Sequence, residues 1–574
     1  MFYLTTSLLS LSLLAIPSAW AEGPVVHAAG GLSYVGLRNS TAGQEYFLGI
    51  PFAQPPIGSL RFRPPVPWIP GDTTEVNATN YGASCEQTIQ SSSNPTSEDC
   101  LTLNIWKPTN ITGELPVMVY IYGGGFYAGE TVTYPGTFLV ERASKIGKPI
   151  IYITMNYRLG IYGFTPGQAA YEAGARNLGF KDQRLALEWI HKNVKYFGGD
   201  AKKVTVFGTS AGAISAGIQS FYNKGEIGGL FQGMILESGS PETIRAYKPN
   251  DPVREATFQF VVNATGCLND PSPFECLRTA PASVLSQANK DVLVVSTTVS
   301  FVGQVLNRFQ IELEPSLQAI GQSPTTFGPT YAPEDEFVTK PIHDLLHCGE
   351  FAKIPFINGA QLDDGTLFVD GPATSINAGQ DIIDWLTARF PGLYFGISNV
   401  TAIKELLRFY PTSPAAGSPY GTGNNTFGKS RQYKRFASLF GDLLFQAPRR
   451  DHLNSATELG VKSWSYILKE SSLLYPPAYG IGHGGDVPFV MQTLGIQHPN
   501  VSPAAIELME IISHYWINFA YSLDPNAGSV KRPHWPQYGK EMTALQLLGS
   551  NVTTFKDSAR AEATDFIIEG NGLS

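Results

Sequence analysis

Apolar residues recur along this chain in two rhythms. Short unbroken runs, "PVMVYIYGGG" (Pro116–Gly125) and "PIIYITMNYRLG" (Pro149–Gly160), end in glycine and read as strands covered on both faces. "VTVF" (Val204–Phe207), "GMILESGSP" (Gly233–Pro241), "IPFINGAQLDDG" (Ile354–Gly365) and "KSWSYILKES" (Lys462–Ser471) have the same character. Between them lie stretches of helical period. "DQRLALEWIHKNVKYFGGD" (Asp182–Asp200) spaces Leu185, Trp189, Ile190 and Val194 along one face, and its Gly-Gly marks a stop. "ELMEIISHYWINFAY" is a second amphipathic helix, carrying His514. Strands alternating with helices predict an α/β fold: a mostly parallel sheet with helices on both faces. No repeat or low-complexity linker divides the chain, so residues 22–574 read as one domain with large insertions.

Composition adds limits. The chain has 574 residues, 43% hydrophobic and 15% charged, with 40 Lys+Arg against 48 Asp+Glu and a net charge of −8. That is ample apolar mass for a large core, and it shows no basic cluster for nucleic acid or an anionic membrane. Residues 1–21, an apolar run closing on Ala19-Trp20-Ala21, read as a secretory signal cleaved before Glu22. No later run is long and apolar enough for stable membrane insertion. Asn-x-Ser/Thr sequons stand at Asn39, Asn77, Asn110, Asn263, Asn399, Asn424, Asn500 and Asn551, as in a secreted glycoprotein. Cys85 lies near Cys100 and Cys267 near Cys276, which suggests two local disulfides. Cys348 is left single and is expected to be a small buried hydrophobe.

The chemistry gathers around "VTVFGTSAGAIS" (Val204–Ser215), a strand, a tight corner and a helix start. A G-x-S-x-G corner strains its serine, here Ser210, and lifts the hydroxyl above the sheet where a helix N-terminus favours negative charge. Serine alone is a poor nucleophile; it needs a base, an orienting carboxylate and oxyanion donors. "YIYGGGFYAG" (Tyr120–Gly129) offers bare amides, assigned to Gly124 and Gly125 and joined by that of Ala211. No Lys-Ser/Thr follows these glycines, which disfavours a phosphate cradle. His483, in the glycine loop "YGIGHGGDVPF", is the candidate base, whereas His514 and His534 read as structural. The carboxylate is sought in "INGAQLDDG", with Asp364 preferred over Asp363. Neither cofactor nor metal is expected.

With those residues in view, the chain resembles the type-B carboxylesterase/lipase family, which includes fungal lipases, cholinesterases and liver carboxylesterases. "YFLGIPFAQPPIGSLRFRPP" (Tyr46–Pro65), "SEDCLTLNIW" (Ser97–Trp106), "NYRLGIYGF", "FGGDAKKVTVFGTSAGA" and "HYWINFAYSLDPN" follow the family's order. The resemblance implies an α/β-hydrolase fold and an esterase with Ser210, His483 and the oxyanion donors in those roles. It also implies the Cys85–Cys100 and Cys267–Cys276 pairings, and a hydrogen bond from Ser238 that supports the catalytic groups from behind. Three departures stand out. The family usually has Glu at the position of Asp364. It usually has Glu before the nucleophile, where Thr209 removes a negative charge and argues against cationic choline esters. Its lipases carry a long apolar flap in the first disulfide loop, whereas residues 86–99 here are polar, with Ile89 the sole large apolar side chain. The expected substrates are therefore dissolved short-chain or aryl esters such as feruloyl esters, with "VVSTTVSFVG" (Val294–Gly303) a candidate pocket lining. Long-chain or sterol ester hydrolysis is the alternative. A non-catalytic cholinesterase-like binding protein is disfavoured, because serine, glycine loop, histidine and carboxylate all survive.

Overall fold

The unbroken apolar runs become the strands of one large sheet in the computed structural model, which describes residues 23–110, 112–292, 327–369, 375–389, 399–528 and 532–570. In chain order the strands are β1 (Leu37–Asn39), β2 (Gln44–Pro51), β3 (Thr102–Pro108), β4 (Leu115–Ile121), β5 (Ile151–Met155) and β6 (Gly199–Thr209), followed by β7 (Gly233–Glu237), β8 (Phe356–Gln361), β9 (Ser463–Leu468), β10 (Thr543–Leu547) and β11 (Thr553–Lys556). Their spatial order is β1-β2-β3-β5-β4-β6-β7-β8-β9-β10-β11. From β5 to β10 every pairing is parallel, and antiparallel strands close both edges. β4 and β5 are buried along their whole length, which is why their sequences lack a polar alternation. Outside this sheet, Val25–His27, Ser33–Val35 and Glu75–Asn77 form a small one, and Ser84–Cys85 pairs with Thr96–Ser97. The predicted signal segment and Val294–Gly303 lie outside the described residues.

The helices around the sheet include α1 (Thr137–Lys145), α2 (Leu178–Asn193), α3 (Ala211–Gln219), α4 (Ile342–His347), α5 (Ala447–Glu458) and α6 (Pro503–Ser522). Side-chain alternation puts α5 and α6 on opposite faces. Glu237 and Tyr466 reach Trp516 of α6, whereas Ser465 and Asn358 meet Arg449 and His452 of α5. The helix expected from Asp182 starts earlier, at Leu178, and Gly198, in the left-handed region, ends the turn that follows it. β6 is longer than the Val204–Phe207 run because a bulge between Gly199 and Val204 lets polar residues join the ladder.

Cys85–Cys100 and Cys267–Cys276 are disulfides. Cys348 departs from expectation: it is exposed, not buried. The reason is its place as the C-cap of α4, one step past the apolar stripe Ile342, Leu345 and Leu346.

Candidate functional site

The corner at Ser210 is tight because three backbones meet there. A Cβ on Gly212 would lie 1.9 Å from the Ile121 carbonyl oxygen, and one on Gly208 would lie 2.4 Å from the same atom. Only hydrogen fits at either position. Ser210 itself sits at φ 59°, ψ −126°, at the N-cap of α3, with its amide donating to the Glu237 carbonyl at 2.9 Å. For a non-glycine residue this is a strained conformation, and such strain clusters at functional positions. Ala211 opens α3, so its amide has no carbonyl one turn earlier in the helix.

The glycine loop rests on this corner. A Cβ on Gly123 would lie 2.6 Å from the Thr209 carbonyl oxygen and 3.0 Å from Ser210 Cβ. Gly124 and Gly125 follow with φ of 108° and 61°. The Gly124 carbonyl accepts from the amides of Tyr127 and Ala128, which folds the loop back beside the serine.

Histidine and carboxylate meet on the neighbouring strand ends. His483 Nδ1 and Asp364 Oδ1 are 2.9 Å apart. Asp364 Oδ2 accepts from the Gln361 amide at 2.7 Å and from Ser238 Oγ at 3.1 Å. Ser238, the residue after β7, thus makes the supporting hydrogen bond that the resemblance implied. His483 is buried, and its Nε2 has no hydrogen-bond partner among the described residues. Asp363 does not contact His483. Its Oδ2 accepts from the Ile481 amide at 2.9 Å and its Oδ1 from Ser418 Oγ at 2.6 Å and the Tyr420 amide at 3.0 Å. The twin aspartates therefore divide the work: one binds the imidazole, the other pins the loop that carries it. Burial raises the Asp363 pKa above the ordinary carboxylate range.

Four further residues had no distinguishing signal in the sequence. Phe368 and Phe445 flank His483, with ring centroids 5.0 and 4.7 Å from the imidazole. Phe445 lies in a π-helical turn, Asp442–Gln446, a distortion often found at functional sites. Glu237 and Asp486 are buried acids behind the site. Glu237 accepts from Thr209 Oγ1 at 2.7 Å and Trp516 Nε1 at 2.8 Å, and burial, reinforced by Asp486, holds its pKa well above the usual range. Thr209 therefore abuts a carboxyl group after all, one supplied by the next strand. Asp486 Oδ2 accepts from Tyr466 Oη at 2.7 Å, and burial followed by the charge of Asp364 pushes its pKa up to about 6. A lone acidic residue in a glycine loop or at a strand end gives no hint of such burial.

The carboxylesterase family pattern matches residues 25–567. The chain belongs to the carboxylesterase family. Full-length relatives agree. "Secreted lipase 1" of Botryotinia fuckeliana (strain B05.10) is 34% identical, over 96% of this chain and 93% of that protein. "Lipase 2" of Diutina rugosa is 32% identical, over 97% and 98%. Among solved structures, Aspergillus niger EstA aligns with a TM-score of 0.78 at 25% identity, over 96% of this chain and 99% of that one. This carboxylesterase has the α/β-hydrolase fold, and it is a carboxylic ester hydrolase.

Proposed function

We propose that Ser210, His483 and Asp364 perform acyl transfer to water. His483 Nε2 takes the Ser210 proton as Oγ attacks the ester carbonyl. The Gly124, Gly125 and Ala211 amides hold the resulting oxyanion, and the imidazolium then protonates the departing alcohol. Water repeats the sequence to release the acid. Asp364 accepts from Nδ1–H and so holds the imidazole in the tautomer whose Nε2 is free to take a proton. The observation that carries this reading is the 2.9 Å contact between His483 Nδ1 and Asp364, which leaves Nε2 as the proton acceptor.

The substrates we infer are dissolved short-chain or aryl esters, feruloyl esters among them. The support is the first disulfide loop. Ser84, Ser91 and Ser92 all donate to the Glu130 carboxylate at 2.7–2.8 Å, and the Thr88 amide donates to the Tyr127 carbonyl at 2.9 Å. The loop is stitched to the glycine loop rather than hung as a flap. A second reading, hydrolysis of long-chain lipid esters, draws on the lipase names of the relatives and on exposed Leu367, Phe368, Leu473 and Leu474, an apolar set on the segments leading to and flanking His483. Nitrophenyl esters of increasing chain length, methyl ferulate and tributyrin, assayed across the solubility limit, separate the two. Highest kcat/KM on dissolved esters, with no rise in rate on emulsification, supports the first reading. A sharp rise at the limit overturns it.

The enzyme works outside the cell, as its two disulfides and its secreted relatives suggest, with residues 1–21 as leader. Glycosylation is proposed at the exposed sequons Asn77, Asn110, Asn263, Asn399, Asn424, Asn500 and Asn551. Asn39 suits it less: it is half-buried, and its amide donates to Tyr46 Oη.

A further inference from the structure

Away from Ser210, a second cluster of chemistry-bearing side chains sits where α4 crosses α5. His343 and His347 are one turn apart on α4, so both imidazoles share a face, with ring centroids 4.1 Å apart. Both are half-exposed, and both converge on Asp451 of α5, which is almost fully buried. His343 Nδ1 is 3.2 Å from Asp451 Oδ2, and His347 Nε2 is 3.1 Å from Asp451 Oδ1. Buried Glu242, just beyond the end of β7, completes the group, with Oε1 3.1 Å from His343 Nδ1. A cavity of about 400 Å³ opens beside these residues, lined also by Ile244, Pro341, Ala447 and Ile567.

We propose that His343, His347 and Asp451 form a binding site for a divalent transition-metal ion of the Zn²⁺ class, with the Glu242 carboxylate adjoining it. One ligand atom from each of the three residues lies within 4.8 Å of the other two. Zinc–ligand bonds of about 2.0–2.2 Å in a tetrahedron give ligand–ligand edges of roughly 3.3–3.6 Å. A single oxygen, Asp451 Oδ2, lies 3.2 Å from His343 Nδ1 and 3.3 Å from His347 Nε2, close to those edges before any ion pulls on them. Two imidazoles with one carboxylate suit zinc, and disfavour calcium or magnesium, which take oxygen ligands. The helical spacing and the buried aspartate fix the donors in advance; Glu242 faces the same Nδ1 nitrogen, so an ion there would displace the proton that Glu242 and Asp451 now share with that ring. The fourth position would face solvent or the cavity. A metal here would tie α4 to α5 and balance two adjoining acids. Ester hydrolysis does not require it. The competing occupant is a proton: hydrogen bonds to Asp451 and Glu242 push the His343 pKa up to about 10.

The test is direct binding to the intact secreted chain, first stripped with chelator. Co²⁺ titrated into wild type should saturate at one equivalent and develop the visible bands of a four-coordinate site, and Zn²⁺ should displace it and raise Tm. His347→Ala, a change at a half-exposed position, should keep the metal-free Tm and weaken Co²⁺ affinity by about 100-fold. The double variant His343→Ala/His347→Ala should lose the bands altogether. Absence of saturable Co²⁺ binding by wild type, or equal binding by the His347→Ala variant, overturns the proposal and leaves a proton-held cluster. Esterase activity is not the readout, so the result stands apart from the assignment of Ser210.

Discussion

Asp364 and Asp363 are adjacent carboxylates with different partners, and their substitutions should fail in different ways. Asp364→Asn keeps the shape but offers the imidazole the wrong donor, so kcat should fall about 10⁴-fold with little change in Tm. Asp363→Asn leaves the imidazole contact alone but spoils bonds to Ile481, Ser418 or Tyr420. A buried polar group left unsatisfied costs about 1–3 kcal/mol, so here Tm should fall while kcat loses far less. Steady-state kinetics and thermal melts on both variants check the pair. Asp486 adds a pH signature. Burial lifts its pKa from 3.8 to about 6, so the folded chain prefers it protonated. Its stabilising contribution is full below about pH 4 and is lost as pH rises through about 6. The Tm of Asp486→Asn relative to wild type should therefore climb between pH 4 and 7. Parallel melting curves would show that Asp486 does not titrate there.

At the level of elements, the strand-end geometry brings three distant segments together. β6, β7 and β8 lie side by side, so Ser210, Ser238 and Asp364 leave the sheet at neighbouring carboxyl ends. These elements were legible because buried parallel strands leave unbroken apolar runs and a nucleophile corner demands glycine at fixed spacing. Asp364 was distinguishable from Asp363 only as a preference, since both stand in the same polar turn and the choice depends on where the His483 loop returns. Cys348 was misread because the six-residue α4 carries too little periodicity to mark its last turn. The strap between the first disulfide loop and the glycine loop was invisible, since serines 84, 91 and 92 reveal no shared acceptor until Glu130 is placed beneath them. Replacing that acceptor by Glu130→Ala should destabilise the protein by about 1–3 kcal/mol and open residues 86–99 to proteolysis. Melting temperature and cleavage mapping read both effects.

For the molecule as a whole, the sheet is a rigid platform and the connections above it carry the chemistry. Family membership follows from the full-length match, while the proposed preference among esters turns on whether the polar strap on Glu130 or exposed apolar side chains such as Phe368, beside His483, meet the substrate. The proposed mechanism requires that His483 activate Ser210. An organophosphonate that reacts only with an activated serine, followed by peptide mass spectrometry, measures it directly. A single adduct is expected on the peptide containing Ser210, nearly abolished by His483→Ala and absent in Ser210→Ala. An unlabelled Ser210, or labelling as fast without His483 as with it, would contradict the account.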